Sequence, residues 1–339
     1  MKHRIRTGIA ASMGMLLLIL DTKTALYGAN EGIELCMKTV IPSLLPFIFL
    51  SNLLTSALSG TRSKLLRLIG HCMRMPYGSE TMFVIGALGG YPTGAQAVTA
   101  AYNNGQLTKK DAQRLLGFCS NAGPSFLFGI TAAQFPDSSS VWLLWLIHLF
   151  SAFLTGMLLP GGSRDSVVIQ HGIPLTAVQS LRKSTYTMAQ ICGWIILFRI
   201  LIGFSTRWFL WFFDNYTNVL ISGATELSIG CVSLSEIKNL GMRFITGAAM
   251  LGFGGLCVLM QTASATGSLG LGMYIPGKII QCCISIILAT TIQYFIYDPA
   301  QQCTNNLMVY AIAPLLIAII MIITQKSEKR SRNLQPLVV

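Results

Sequence analysis

Three short stretches carry polar and helix-breaking residues in an otherwise apolar chain. Gly90-Tyr91-Pro92-Thr93-Gly94 sets two glycines around a proline, with Gln96 close behind. Proline removes a backbone donor and disfavours helix at the residue before it. A helix unwound there would free backbone groups to line a polar cavity. Ser120-Asn121-Ala122-Gly123-Pro124-Ser125 interrupts a second run. Its hydroxyls and amide offer donors and acceptors to a solute or ion, or to a neighbouring helix. Glu226, next to Thr225, is the only acidic residue well inside an apolar segment. A carboxylate in hydrocarbon marks a functional position by default. It could take a proton, coordinate Na⁺ or accept from a solute hydroxyl; the alternative is an ion pair with Arg199 or Arg243. Gln261 and Thr262 are candidate cavity walls, or helix-end polar residues like Ser264 and Thr266. His148 reads as a satisfied core histidine. Gly86, Gly90 and Gly94 share one helical face, which also suits close helix packing.

These residues sit in a chain that water cannot solvate. Of 339 residues, 53% are hydrophobic and only 11% charged. Soluble domains carry about 25% charged residues. A polytopic helical membrane protein remains, with lipid as its first partner. The net charge of +12 fits an excess of cytoplasmic Lys and Arg, since no basic stretch is interleaved with aromatics as nucleic acid would require. The nine cysteines show neither CxxC nor zinc spacing, so no metal is expected. GxxxxGK[ST], HExxH and GxSxG are absent, and the chain reads as no enzyme and needs no cofactor.

Apolar segments fall at about 8–20, 39–58, 82–101, 115–134, 141–159, 187–213, 219–234, 244–265, 279–297 and 306–323. The first, preceded by Lys2, Arg4 and Arg6, resembles a signal peptide without a good cleavage site and reads as a retained helix. Segments 82–101 and 219–234 hold Gly, Pro or Glu. If both cross fully, the basic loops 103–114 and 160–186 fall outside. If both are re-entrant, most of the 24 Lys and Arg lie inside, Arg114 and Lys278 among them as loop residues. The expected fold is therefore an all-α polytopic membrane protein with about eight transmembrane helices and two re-entrant or broken segments. Both termini are expected in the cytoplasm, with the chain in the inner or plasma membrane. Thr108-Lys109-Lys110-Asp111 reads as a capped, water-exposed turn before the next helix.

The halves align once the broken segments are matched. VIGALGGYPTGAQAVTAAY then RLLGFCSNAGPSFLFGITAA answers to VLISGATELSIGCVSLSEI then GAAMLGFGGLCVLMQTASA. Gly94 matches Gly230, and Gly117-Phe118 matches Gly252-Phe253. An odd number of crossings separates the copies, so they form two inverted-topology repeats. Such repeats with interrupted segments point to a transporter site near the midplane. The division is 1–30, an N-terminal helix and loop; 31–160, the first repeat; 161–300, the second; and 301–339, a last helix and basic tail.

GALGGYPTGAQAVTAAYNNGQLTKKDAQRLLGFCSNAGPSFLFG (86–129), with PSLLPF (42–47) and E-x-x-x-G (226–230), resembles the YlbJ-type sporulation integral membrane proteins of the Gate, or nucleoside-recognition, domain family. The resemblance covers about 30–325. It implies a spore-forming Gram-positive source and a Gate domain like those of concentrative nucleoside transporters and ferrous-iron gates, with no assigned substrate. By that resemblance Gly90, Tyr91, Pro92, Gly94, Asn121, Gly123 and Pro124 match the motif, while Gln96 stands where the pattern carries Lys. The leading expectation is a transporter or permease for a small polar solute, nucleoside-like, coupled to H⁺ or Na⁺ or to neither. The rival is a non-transporting structural membrane protein needed for spore coat or cortex assembly, contacting partners through 160–186 or 324–339. A homo-oligomer is left open.

Overall fold

The computed structural model describes residues 2–58, 64–162 and 175–294. Among these there is no strand. The expected span at 306–323, the tail and residues 163–174 of the 160–186 loop lie outside the described residues.

Helix α1 (Lys2–Leu20) leads into α2 (Thr22–Leu35), whose start Asp21 caps by accepting from the Thr24 N–H. A π-helical turn at Cys36–Val40 joins α2 to α3 (Ile41–Leu58). Thr22–Ala57 is thus one continuous apolar helix, where the sequence suggested an outer loop up to residue 38. The reason is tertiary. A Cβ on Gly28 or Gly32 would come within 2.9 Å of the Ile200 or Ile196 Cα. Bare glycine lets the two backbones touch, and packing supplies what local propensity does not.

Next come α4 (Lys64–Cys72), α5 (Glu80–Gly89) and α6 (Thr93–Asn103), then α7 (Lys109–Cys119) and the short α8 (Pro124–Phe126). Thr108 caps α7 as expected: its Oγ1 accepts from the Asp111 N–H at 3.1 Å and donates to Asp111 Oδ2 at 2.7 Å. Helix α9 (Ser138–Leu158) is followed by the long α10 (Ala177–Trp208). The chain then forms α11 (Asn215–Thr225), α12 (Leu227–Ser233), α13 (Leu240–Phe253), α14 (Gly255–Thr266) and α15 (Tyr274–Ile292).

Six stretches are long and apolar enough to cross a membrane among the described residues: Thr22–Ala57, Lys109–Gln134, Ser138–Leu158, Ala177–Trp208, Leu240–Leu269 and Tyr274–Ile292. Glu80–Gly89 and Leu227–Glu236 are apolar but short. This is a multi-pass membrane protein. Large hydrophobic side chains such as Ile19, Leu146, Phe150 and Leu197 point outward, which suits lipid rather than water.

Two basic residues assigned to loops are helix residues. Arg114 is in α7 and Lys278 in α15, 3% and 1% exposed. In one dimension both pass for solvated loop charges, because each sits beside a loop. The helices start a few residues earlier than the apolar runs, since packing carries their first turns inward. Arg207 pairs with Asp21 at 3.1 Å.

Candidate functional site

Four helix breaks build the site. The first separates α5 from α6 at Gly90-Tyr91-Pro92. Gly90 has φ +72, a conformation glycine adopts without strain. The break is narrower than expected, since Thr93 and Gly94 already belong to α6. The second, Ser120–Gly123, lies between α7 and Pro124, which opens α8 at the position where proline costs no hydrogen bond. The third is one residue long. Glu226 ends α11 and caps α12 at once, in extended conformation. The fourth is Gly254, left-handed at φ +84 between α13 and α14. By residue type, 244–265 passes for an unbroken span. The signal was present in Gly252-Phe253-Gly254-Gly255, whose first two residues align with Gly117-Phe118 just before the second break.

The breaks meet. A Cβ on Gly90 would lie 2.9 Å from the Gly123 N, so the first hairpin tip abuts the second break. A Cβ on Gly255 would lie 3.0 Å from the Gly223 carbonyl and 3.5 Å from the Leu227 N, so the second hairpin tip abuts the fourth. Tyr91 crosses between the pairs, and a Cβ on Gly254 would touch its hydroxyl at 3.0 Å. A cleft of about 30 Å³ opens among them, lined by Gly90, Tyr91, Gly123, Ser125, Glu226, Ser228 and Gln261 together with apolar residues of α3 and α10 such as Ile48 and Ile191. The cleft is narrow, with room for only a few waters.

Glu226 is 1% exposed and accepts from the Ile229 N–H at 2.7 Å. That contact stabilises a carboxylate, because the first N–H groups of a helix lack internal partners. Its expected alternative partners are engaged elsewhere. Arg199 pairs with Glu31 of α2. Arg243 donates to the carbonyls of Ser235, Ile237 and Gln134. Glu226 therefore faces the cleft with no basic partner among the described residues.

Over 314 aligned residues the chain is 24% identical to the sporulation integral membrane protein YlbJ of Bacillus subtilis strain 168, an alignment covering 77% of this chain and 76% of that protein. This likeness supports the YlbJ-type resemblance seen in the sequence. No family model matches it, and no solved structure does.

The remaining candidate residues lie around the cleft rather than on it. Gly94 is packed against the Cys119 carbonyl. Gln96 donates to the Thr187 hydroxyl at 3.4 Å. Thr93 donates to the Gly89 carbonyl and Thr225 to that of Ile221. Thr262 is buried in α14 beside the Tyr274 hydroxyl. Pro92, Ser120 and Pro124 belong to the breaks without lining the cleft. Asn121 turns the other way, donating to the Phe118 carbonyl at 2.7 Å and accepting from Lys278 and Gln281.

Lys278 is the residue that sequence reasoning missed. Its Nζ donates to Gln281 Oε1 at 2.7 Å and Asn121 Oδ1 at 3.3 Å. It also lies 5.2 Å from the Tyr91 ring centroid and 5.9 Å from that of Tyr274. Gln281 donates in turn to the His148 carbonyl at 3.3 Å, and His148 Nε2 accepts from the Ala122 N–H at 3.0 Å. The histidine is satisfied, as its type and setting suggested. The available signal for Lys278 was spacing: Lys278 and Gln281 are one helical turn apart ahead of an apolar run, so they share a face.

Proposed function

We propose that this protein is a secondary transporter or permease for a small polar solute, not an enzyme, with its site at the four convergent breaks. The observation that carries the reading is the cleft itself. Interrupted helices at membrane depth are tolerated where they line a cavity or are buried in protein. Here their ends meet around a carboxylate that has no basic partner among the described residues. A nucleoside-like solute suits the site by its hydroxyls, which Glu226, Ser125, Ser228 and Gln261 would hydrogen-bond. The order of elements supports two inverted Gate-type repeats: hairpin α5–α6 with the broken α7–α8, then hairpin α11–α12 with the broken α13–α14. Matched contacts support it too. Gly94 closes on Gly86, and Gly230 closes on Gly223. Gly117 and Gly252 both rest against α15, at Gly277 and Cys282.

The test is a thermal-stabilisation screen of the purified protein against nucleosides, amino acids and organic acids. A binder raises apparent stability by mass action. We expect a hit whose shift falls at least about tenfold in affinity in Glu226→Gln, which keeps an acceptor for the Ile229 N–H but removes the charge. Binding or uptake unchanged in that variant would sink the reading. Gly94→Leu cannot serve as a second test, because it strikes backbone packing.

With both hairpins re-entrant, and the termini in the cytoplasm of the plasma membrane, the turn after α6 faces inward. A single reactive cysteine at the exposed Asn104 is then expected to resist an impermeant reagent added outside intact cells, and to react after permeabilisation. Labelling from outside would refute the first re-entrant segment.

The name of the relative favours a second reading, a structural part of a developing spore membrane that moves nothing. Under it the screen finds no ligand, and apolar replacements in the cleft leave sporulation intact.

A further inference from the structure

The transport reading leaves open which ion, if any, the site uses, and the Lys278 cluster bears on that question. Lys278 is 1% exposed, and among the described residues no carboxylate pairs with it. A buried charge without a counter-ion is costly unless its surroundings solvate it. Here neutral groups do so: two amide oxygens, Asn121 Oδ1 and Gln281 Oε1, and the faces of Tyr91 and Tyr274. Amide oxygens at a helix break, backed by aromatic faces, form the setting that receives a monovalent cation stripped of water. Asn121 belongs to the second break, and Tyr91 lines the cleft from the first, so this cation stands directly behind the proposed site. The titratable groups around it are His148 of α9, Cys119 of α7, Tyr91 and, on its own helix, Tyr274. None of these is a carboxylate.

We propose that the Lys278 ammonium is a tethered resident cation, filling on Asn121, Gln281, Tyr91 and Tyr274 a site that would otherwise take an alkali-metal ion. The protein therefore has no use for sodium at this place. The inference extends the transport reading but does not share its test, since it concerns an inorganic cation and not the solute.

The experiment compares apparent melting temperatures of the full-length protein in NaCl and in choline chloride at equal ionic strength. Wild type is expected to melt at the same temperature in both. Lys278→Ser removes the ammonium and leaves space among the oxygens. It should melt lower in choline and recover about 2–4 °C in NaCl, saturably, by mass action. Lys278→Met also removes the charge but fills the space with an apolar stem, so it should show no recovery. Three results would each overturn the proposal: a sodium-specific gain in wild type as large as that of Lys278→Ser, a serine variant equally unstable in both salts, or equal recovery in the serine and methionine variants. A solute hit in the earlier screen alongside any of these would leave the transport reading standing and remove this one alone.

Discussion

Gly86→Val is expected to destabilise the folded protein severely. A Cβ at Gly86 would lie 1.7 Å from the carbonyl oxygen of Cys119, and one at Gly94 would lie 1.9 Å from the same atom. The two arms of the first hairpin thus straddle a single backbone carbonyl at the end of α7. A flexible side chain could swing away, but a backbone carbonyl moves only with its helix. Overpacking costs about 1–3 kcal/mol even where side chains can adjust, so about 3 kcal/mol or more is expected here. Folded proteins hold a margin of only about 5–15 kcal/mol. The check is the monodisperse fraction and apparent melting temperature of the detergent-purified variant. Gly193→Ala is the control, because a Cβ there meets nothing within 4 Å. A Gly86→Val protein that behaves like wild type would show that the hairpin is not seated on α7 as described.

Arg114→Met should cost about 3 kcal/mol, lowering the apparent melting temperature by about 5 °C or more. The guanidinium donates to the carbonyls of Met73 at 2.8 Å and Gly156 at 2.7 Å, with longer contacts to Arg74 and Leu159. Those carbonyls follow the end of α4 or close α9, where helix dipoles leave partial negative charge. Arg114 thus ties α7 to two helix ends and satisfies acceptors that methionine would leave bare. Arg114→Lys should recover only part of the loss, because a point charge cannot reproduce the planar fork. Lys110→Met, at an exposed position of the same helix, should be nearly neutral. Equal effects at the two positions would place the role of Arg114 in its charge alone.

The two variants act at different levels of what the sequence encodes. The membrane class, the helical content, the breaks at Gly90–Pro92 and Ser120–Gly123 and the unusual position of Glu226 inside an apolar segment are all legible from residue types. Each rests on a local cause: proline lacks a donor, glycine tolerates unusual φ, and a carboxylate in hydrocarbon is costly. The cap at Thr108 is likewise a matter of neighbours three residues apart. The fourth break at Gly254 was written in the same local language, but it lay inside a run apolar enough to pass for an ordinary span.

Only the tertiary structure decided which of these features meet. Glu226 loses Arg199 to Glu31 because α2 continues as helix along α10, which follows from how Gly28 and Gly32 pack and not from the hydropathy of 21–38. Asn121 belongs to the right break, yet it faces Lys278 rather than the cleft, since a break sets where a helix stops and not which way its last side chains turn. Lys278 itself looks like a loop charge in one dimension. It becomes a buried side chain because Gly277 rests on Gly117 and draws the first turn of α15 against α7. Local chemistry determined what each residue could offer, and the approach of distant backbones decided what it was offered to.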